Sequence, residues 1–366
     1  MSRDALSVKS IGRVVIVVFL VLIVISEILL YAPPASGRLT VSVQWEVAGG
    51  KLLGNTTIHA PVSATVRQTL YLIREIPSVT TVYFYFDSGY PYSYSNLVDW
   101  YGLSQHIGVV SGFRGAPINV VVLDAVQLAT FLNTTPPSGQ VLVVGSGVLP
   151  DTVFSTTRDT VAPWVEGGGT LIWIGDKIGT YSGVPGVPLQ YPSPSNPGAN
   201  GTRQFLNLSL FGGTGLYYNT SSSFATAFNL NYSLGIPYDD LNLTELPGSG
   251  GTALGNVDAG YTNLATVPLG AGRIVYFGGP TQDATNLGLL VVNLLETGLF
   301  TGQVVLINTT AVTLASGSTT TLRIDAPVPF YPFASGTVEA CAFVSQTDYL
   351  ALFGQTTCLP VPESEE

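Results

Sequence analysis

In 366 residues the chain holds two cysteines, two histidines, one methionine and three lysines. That scarcity excludes whole classes of chemistry. His59 and His106 are far from Cys341 and Cys358, so no ordinary zinc-ligand set exists. No metal and no cofactor is expected. No Gly-x-Gly-x-x-Gly fingerprint or Walker loop opens any helical segment, which removes the usual nucleotide sites. Charged residues make up 10% of the chain, the formal net charge is −10, and the basic residues are scattered. Nothing forms a stripe that follows a phosphate backbone, so nucleic acid is excluded as a partner.

One long apolar run stands out, from Val14 to Ala32. Its length suits a single membrane span. Arg3, Lys9 and Arg13 precede it, whereas Pro33 and Pro34 follow with only Arg38 nearby. The positive-inside rule then puts residues 1–13 in the cytoplasm, an anchor at 14–32, and the remainder outside a cell membrane. Glu27 is costly within a span and either reaches the outer interface or pairs with another helix. A cleaved signal peptide is the rival reading, since residues 32–37 are small. The apolar run exceeds a usual h-region, which favours a retained anchor.

Export agrees with eight Asn-x-Ser/Thr sequons, at Asn55, Asn133, Asn200, Asn207, Asn219, Asn231, Asn242 and Asn308. Composition alone supplies roughly three, so glycosylation is expected. In an exported chain the lone pair Cys341 and Cys358 most simply forms a disulfide, stabilising by about 3 kcal/mol. Two free buried thiols are the alternative.

Leu39 to Val47 alternates apolar and polar residues, a half-buried strand. Val66 to Glu75 reads as a short helix stopped by Pro77. From Val79 onward, apolar strands (Val79–Phe86, Asn119–Leu123, Val141–Val144, Thr170–Ile174, Arg273–Phe277) alternate with helical segments. The pattern predicts an α/β class with a mostly parallel, doubly wound, flavodoxin-like sheet over 39–302. Residues 177–263, rich in Gly, Pro and Ser and holding five sequons, read as an insertion. Short alternating runs over 303–361 predict a C-terminal β-sandwich.

The segments VVVLDAVQLATFL, QVLVVGSGVLPDTVF, VAPWVEGGGTLIWIGD and AGRIVYFGGPTQDATNLGLLVVNLLE together resemble the class I glutamine amidotransferase-like superfamily. The likeness is to its non-catalytic, archaeal membrane-anchored type. It covers about 79–300 and implies the fold rather than an activity. Catalytic members place a Cys on an elbow served by a His; in this chain the matching turn is Gly175-Asp176-Lys177-Ile178-Gly179, and neither cysteine lies in this region. No catalytic residue is therefore assigned.

In open α/β sheets ligands bind beyond the carboxyl ends of the strands. Those ends carry the ligand-binding candidates Asp87, Asp124, Ser146, Asp176, Lys177 and Asp283. Asp124 and Asp283 each precede a predicted helix, where capping is the alternative role. Asp239 and Asp240 are adjacent and would point to opposite faces of a strand, unsuited to paired acid–base work. Tyrosine-rich runs at 83–94 and 217–218 suit stacking on sugars or a partner interface, with strand residues presenting a buried face as the alternative, favoured for residues 83–86. Three functions stay open. They are a non-catalytic binding or scaffold glycoprotein serving a membrane complex or glycan, a hydrolase using strand-end carboxylates, and a surface-layer or filament subunit.

Overall fold

The computed structural model describes residues 39–74, 79–92, 100–110, 112–114, 116–155, 157–175, 177–187, 205, 210–212, 220–230, 239–258, 260–278, 284–328, 337–346 and 355–361. The apolar run at 14–32 lies outside them. Among the described residues no helix is long and apolar enough to cross a membrane.

The described residues open with three strands, β1 (Thr40–Ala48) and β2 (Lys51–Ala60), which pair antiparallel, and β3 (Ala64–Arg74), which enters a different sheet. A strand–helix region follows: β4 (Thr81–Tyr85), α1 (Trp100–Val110), β5 (Asn119–Leu123), α2 (Ala125–Thr134), β6 (Val141–Val144), α3 (Val161–Glu166) and β7 (Thr170–Gly175). Several short strands lead to a hairpin of β8 (Leu264–Leu269) and β9 (Gly272–Gly278), and then to α4 (Ala284–Thr297). Four long strands close the fold: β10 (Val304–Leu314), β11 (Ser318–Pro327), β12 (Val338–Gln346) and β13 (Gln355–Val361).

The expected α/β class does not describe this chain. Half of the described residues, 50%, are in strands against 21% in helices, and several sheets are antiparallel. One seven-stranded sheet runs Thr252–Ala253, β8, β9, β7, β6, β4, β5. Its β5, β4, β6, β7 and β9 are mutually parallel, β8 runs antiparallel to β9, and Thr252–Ala253 pairs antiparallel outside β8. The expected C-terminal β-sandwich is also corrected, because it is built from both ends of the chain. Its sheets are β1-β2-β11 and β10-β3-β12-β13. Thus Lys51 pairs with Pro327, and Tyr71 lies between Leu306 and Cys341. The helix expected at Val66–Glu75 is instead β3. Val66, Leu70 and Ile73 have helical spacing, but β3 is buried on both faces and so lacks the alternation that marks a strand.

That double burial organises the molecule. Tyr71 and Ile73 of β3, with Cys341 and Phe343 of β12, face α1 and α4 (Leu103, Ile107, Leu290, Leu294). Leu70, Leu72, Ala340 and Ala342 point the other way, onto Trp45, Leu52 and Ile324 of the outer sheet. Beyond α1 and α4 lies the seven-stranded sheet, through Phe84, Val143, Ile174 and Phe277. Its far face packs on α2 and α3 through Leu142, Trp173 and Tyr276. Each such buried side chain contributes about 1.5–3 kcal/mol.

Polar links cross the same boundary. The Tyr71 hydroxyl donates to the Thr297 carbonyl at 2.9 Å, and Glu296 accepts from the Thr356 amide at 3.0 Å. Arg114 pairs with Glu339 at 2.6 Å, their side chains 18% and 15% exposed. Cys341 and Cys358 stand opposite each other on β12 and β13 and form a disulfide.

Helices α1 and α4 meet where Gly288 lies against His106, and a Cβ at 288 would collide with the imidazole ring. Alanine gains up to about 1 kcal/mol in helix propensity over glycine, but overpacking costs about 1–3 kcal/mol. Steric conflict wins. Gly288→Ala is therefore expected to lower stability, read as an earlier midpoint in urea unfolding with unchanged slope.

Candidate functional site

The carboxyl ends of β4, β5, β6 and β7, one edge of the sheet, carry the described candidates Asp87, Asp124, Ser146 and Lys177. Asp124 is the N-cap of α2: its carboxylate accepts from the amides of Val126 (2.9 Å) and Gln127 (2.8 Å). The Asp124 amide in turn donates to the Gln127 side-chain oxygen at 3.0 Å, completing a capping box. Asp87 joins the same helix start. Its two oxygens accept from Gly89 (2.9 Å) and from Ala125 (3.1 Å). Both aspartates thus serve orphan amides at the end of a helix.

Ser146 is buried, 2% exposed, and donates to the Val148 carbonyl at 2.8 Å. Its hydroxyl is turned into its own loop. Lys177 is half-buried beside the buried Ile178. Asp176 and Asp283 lie outside the described residues. Asp240 is 6% exposed and sits in a short strand of a separate antiparallel sheet. Neither histidine joins the site: His59 bonds Thr319 on the outer sheet at 3.0 Å, and His106 lies against α4. Both cysteines are in the disulfide.

Tyr90, from the tyrosine-rich run 83–94, and Asp151, which the sequence reading missed, also belong to this edge. The Tyr90 hydroxyl donates to Asp151 at 3.2 Å. Burial, then the Asp151 carboxylate, pushes the Tyr90 phenol up to about 12. Tyr85 is raised too, by burial first and then by Asp87. Arg158 donates to the carbonyls of Asp151 (3.3 Å) and Thr152 (3.0 Å), fixing this loop. Asp151 follows Leu-Pro in the chain, with no local signal that it meets Tyr90.

Beside these groups lies an apolar patch. Phe86 lies 5.0 Å from the Tyr101 ring and 6.3 Å from Trp100, and Tyr92 lies 4.6 Å from Trp100. Tyr92 is 47% and Tyr101 48% exposed. The loop bearing the exposed Val184 and Val187 is tied alongside by the Gly186 amide bonding the Gly89 carbonyl at 2.9 Å. Val126, also exposed, starts α2 at the same edge. Among the described residues only Val62, at a sandwich turn, is a large exposed apolar side chain elsewhere. Clustering of this kind marks an interaction site rather than scattered surface hydrophobes.

No protein-family model and no curated protein matches the chain. Its chemistry rests on these residues alone. The edge offers exposed aromatic faces and carboxylates already engaged by backbone amides or a phenol. That arrangement can hold an apolar or ring-shaped ligand.

Sequon residues are distributed elsewhere. Asn55, Asn133 and Asn308 are exposed, on β2, the end of α2 and β10. Asn242 is half-buried, and its side-chain oxygen accepts from the Thr244 amide at 2.8 Å. Asn200, Asn207, Asn219 and Asn231 lie outside the described residues.

The raised Tyr90 phenol carries a sign. A group held protonated above its unfolded range stabilises fully below that range, about pH 10, and the contribution is lost as pH rises through the folded value. Absorbance titration at 295 nm should therefore show Tyr90 ionising near pH 12, identified as the transition missing in Tyr90→Phe. Asp151→Asn should move that transition toward lower pH.

Proposed function

We propose that the chain is a non-catalytic, membrane-anchored, extracytoplasmic glycoprotein that binds or scaffolds a partner, as an accessory subunit of a cell-envelope membrane complex. The observation that carries this reading is the aromatic edge where the exposed Tyr92 and Tyr101 pack on the half-buried Trp100 and Phe86. Interfaces are enriched in such rings, and a few of them supply most of the binding energy.

The hydrolase reading loses support at the same place. Glycoside hydrolysis needs two carboxyl groups facing each other across a cleft, with one held protonated. Asp87 and Asp124 instead accept from backbone amides of one helix start. The likeness to non-catalytic glutamine amidotransferase-like proteins rests on the sequence segments over about 79–300 alone. The anchor rests on residues 14–32, and extracytoplasmic placement rests on the sequons and the disulfide.

The test is affinity purification of the full chain from its own membranes in mild detergent, with mass spectrometry of what accompanies it. A partner at near-stoichiometric level is expected, with at least about tenfold loss in a Tyr92→Ala/Tyr101→Ala variant. Both rings are about half exposed, so thermal stability should barely move. Recovery of the chain alone, or a partner retained by the variant, would count against the reading. Glycan hydrolysis abolished by Asp151→Asn would favour the enzyme instead.

A further inference from the structure

Strand β5 ends the seven-stranded sheet, with β4 on one side only. The parallel ladder fixes which of its groups remain free. The Asn119 amide bonds the Thr80 carbonyl and the Phe86 amide bonds the Leu123 carbonyl, both at 3.0 Å. Alternate residues of a strand bond the same side, so Asn119, Val121 and Leu123 serve β4. Val120 and Val122 therefore turn their N–H and C=O groups outward, and no strand among the described residues pairs with them.

This edge lacks the usual protections. Exposed edges are ordinarily short, charged, bulged or interrupted by proline. β5 reads Asn-Val-Val-Val-Leu, and its three valines are all half-buried. The flanking helices contain no Asp, Glu, Lys or Arg: α1 is WYGLSQHIGVV and α2 is AVQLATFLNT. In a chain of net charge −10, strand and flanks together form a surface on which two copies meet without opposing like charges.

From this we infer that β5 is a self-association edge, pairing antiparallel with β5 of a second copy about a two-fold axis through Val121. Only an antiparallel partner satisfies the outward groups with this symmetry. Val120 of each copy stands opposite Val122 of the other and exchanges two hydrogen bonds with it, so all outward groups of Val120 and Val122 are used. Asp124 then lies opposite position 118 of the second copy, keeping the two aspartates at opposite ends of the ribbon. A two-fold axis perpendicular to the sheet also leaves both β-sandwich layers on the same side. This pairing does not depend on the partner-binding role of the aromatic edge.

Register makes the inference sharp. The two copies of Val121 form a non-hydrogen-bonded pair, with Cα atoms about 4.5 Å apart, inside the range a disulfide spans. The two copies of Val120 are diagonal neighbours, about 7–8 Å apart, too far to bridge. The native cysteines are paired with each other, so an introduced thiol is the only free one among the described residues. Full-length Val121→Cys in mild detergent, oxidised gently and run without reductant, should migrate mainly as a dimer that reductant dissolves. Val120→Cys should remain monomeric. Failure of both to cross-link, or equal cross-linking of both, would overturn the pairing.

Discussion

Burial of the four-stranded sheet on both faces is the constraint on which the rest of the structure depends. Tyr71, Ile73, Cys341 and Phe343 look toward the helices, and Leu70, Leu72, Ala340 and Ala342 look toward the outer sheet. One layer thereby belongs to two cores. The polar links of Tyr71, Glu296 and the Arg114–Glu339 pair lie at its helix side, where an unpaired charge would cost several kcal/mol. The strand–helix region is positioned by this sheet rather than standing apart from it.

Local patterns in the sequence carried part of this. Strands form at Asn119–Leu123, Val141–Val144 and around Thr170–Ile174, where continuous apolar runs mark strands covered on both faces. The Asp-x-x-Gln pattern at Asp124 marks a helix start by its own geometry. What could not be read is non-local. Lys51 meets Asp325 across 274 positions, and nothing near either residue encodes that pairing. β3 was illegible for a second reason, since a strand buried on both sides loses its period of two and mimics a helix.

The site divides along the same line. Asp124 announced its capping role, whereas Asp87 bonds Ala125 38 positions away and Tyr90 meets Asp151 across 61. Both contacts exist because parallel strands deliver their ends to one edge. The carboxylates that looked like acid–base candidates hold that edge together, and the aromatic rings beside them are left exposed. A binding face arises where the fold's own amides have already engaged the acids.

Native-state hydrogen exchange resolved by segment tests the doubly buried sheet most directly. If it couples the layers, amides of β3 and β12 should exchange slowest, and α4 and β9 should open with them at one shared free energy. Separate exchange, with the β-sandwich opening while α4 and β9 stay protected, would contradict a shared core.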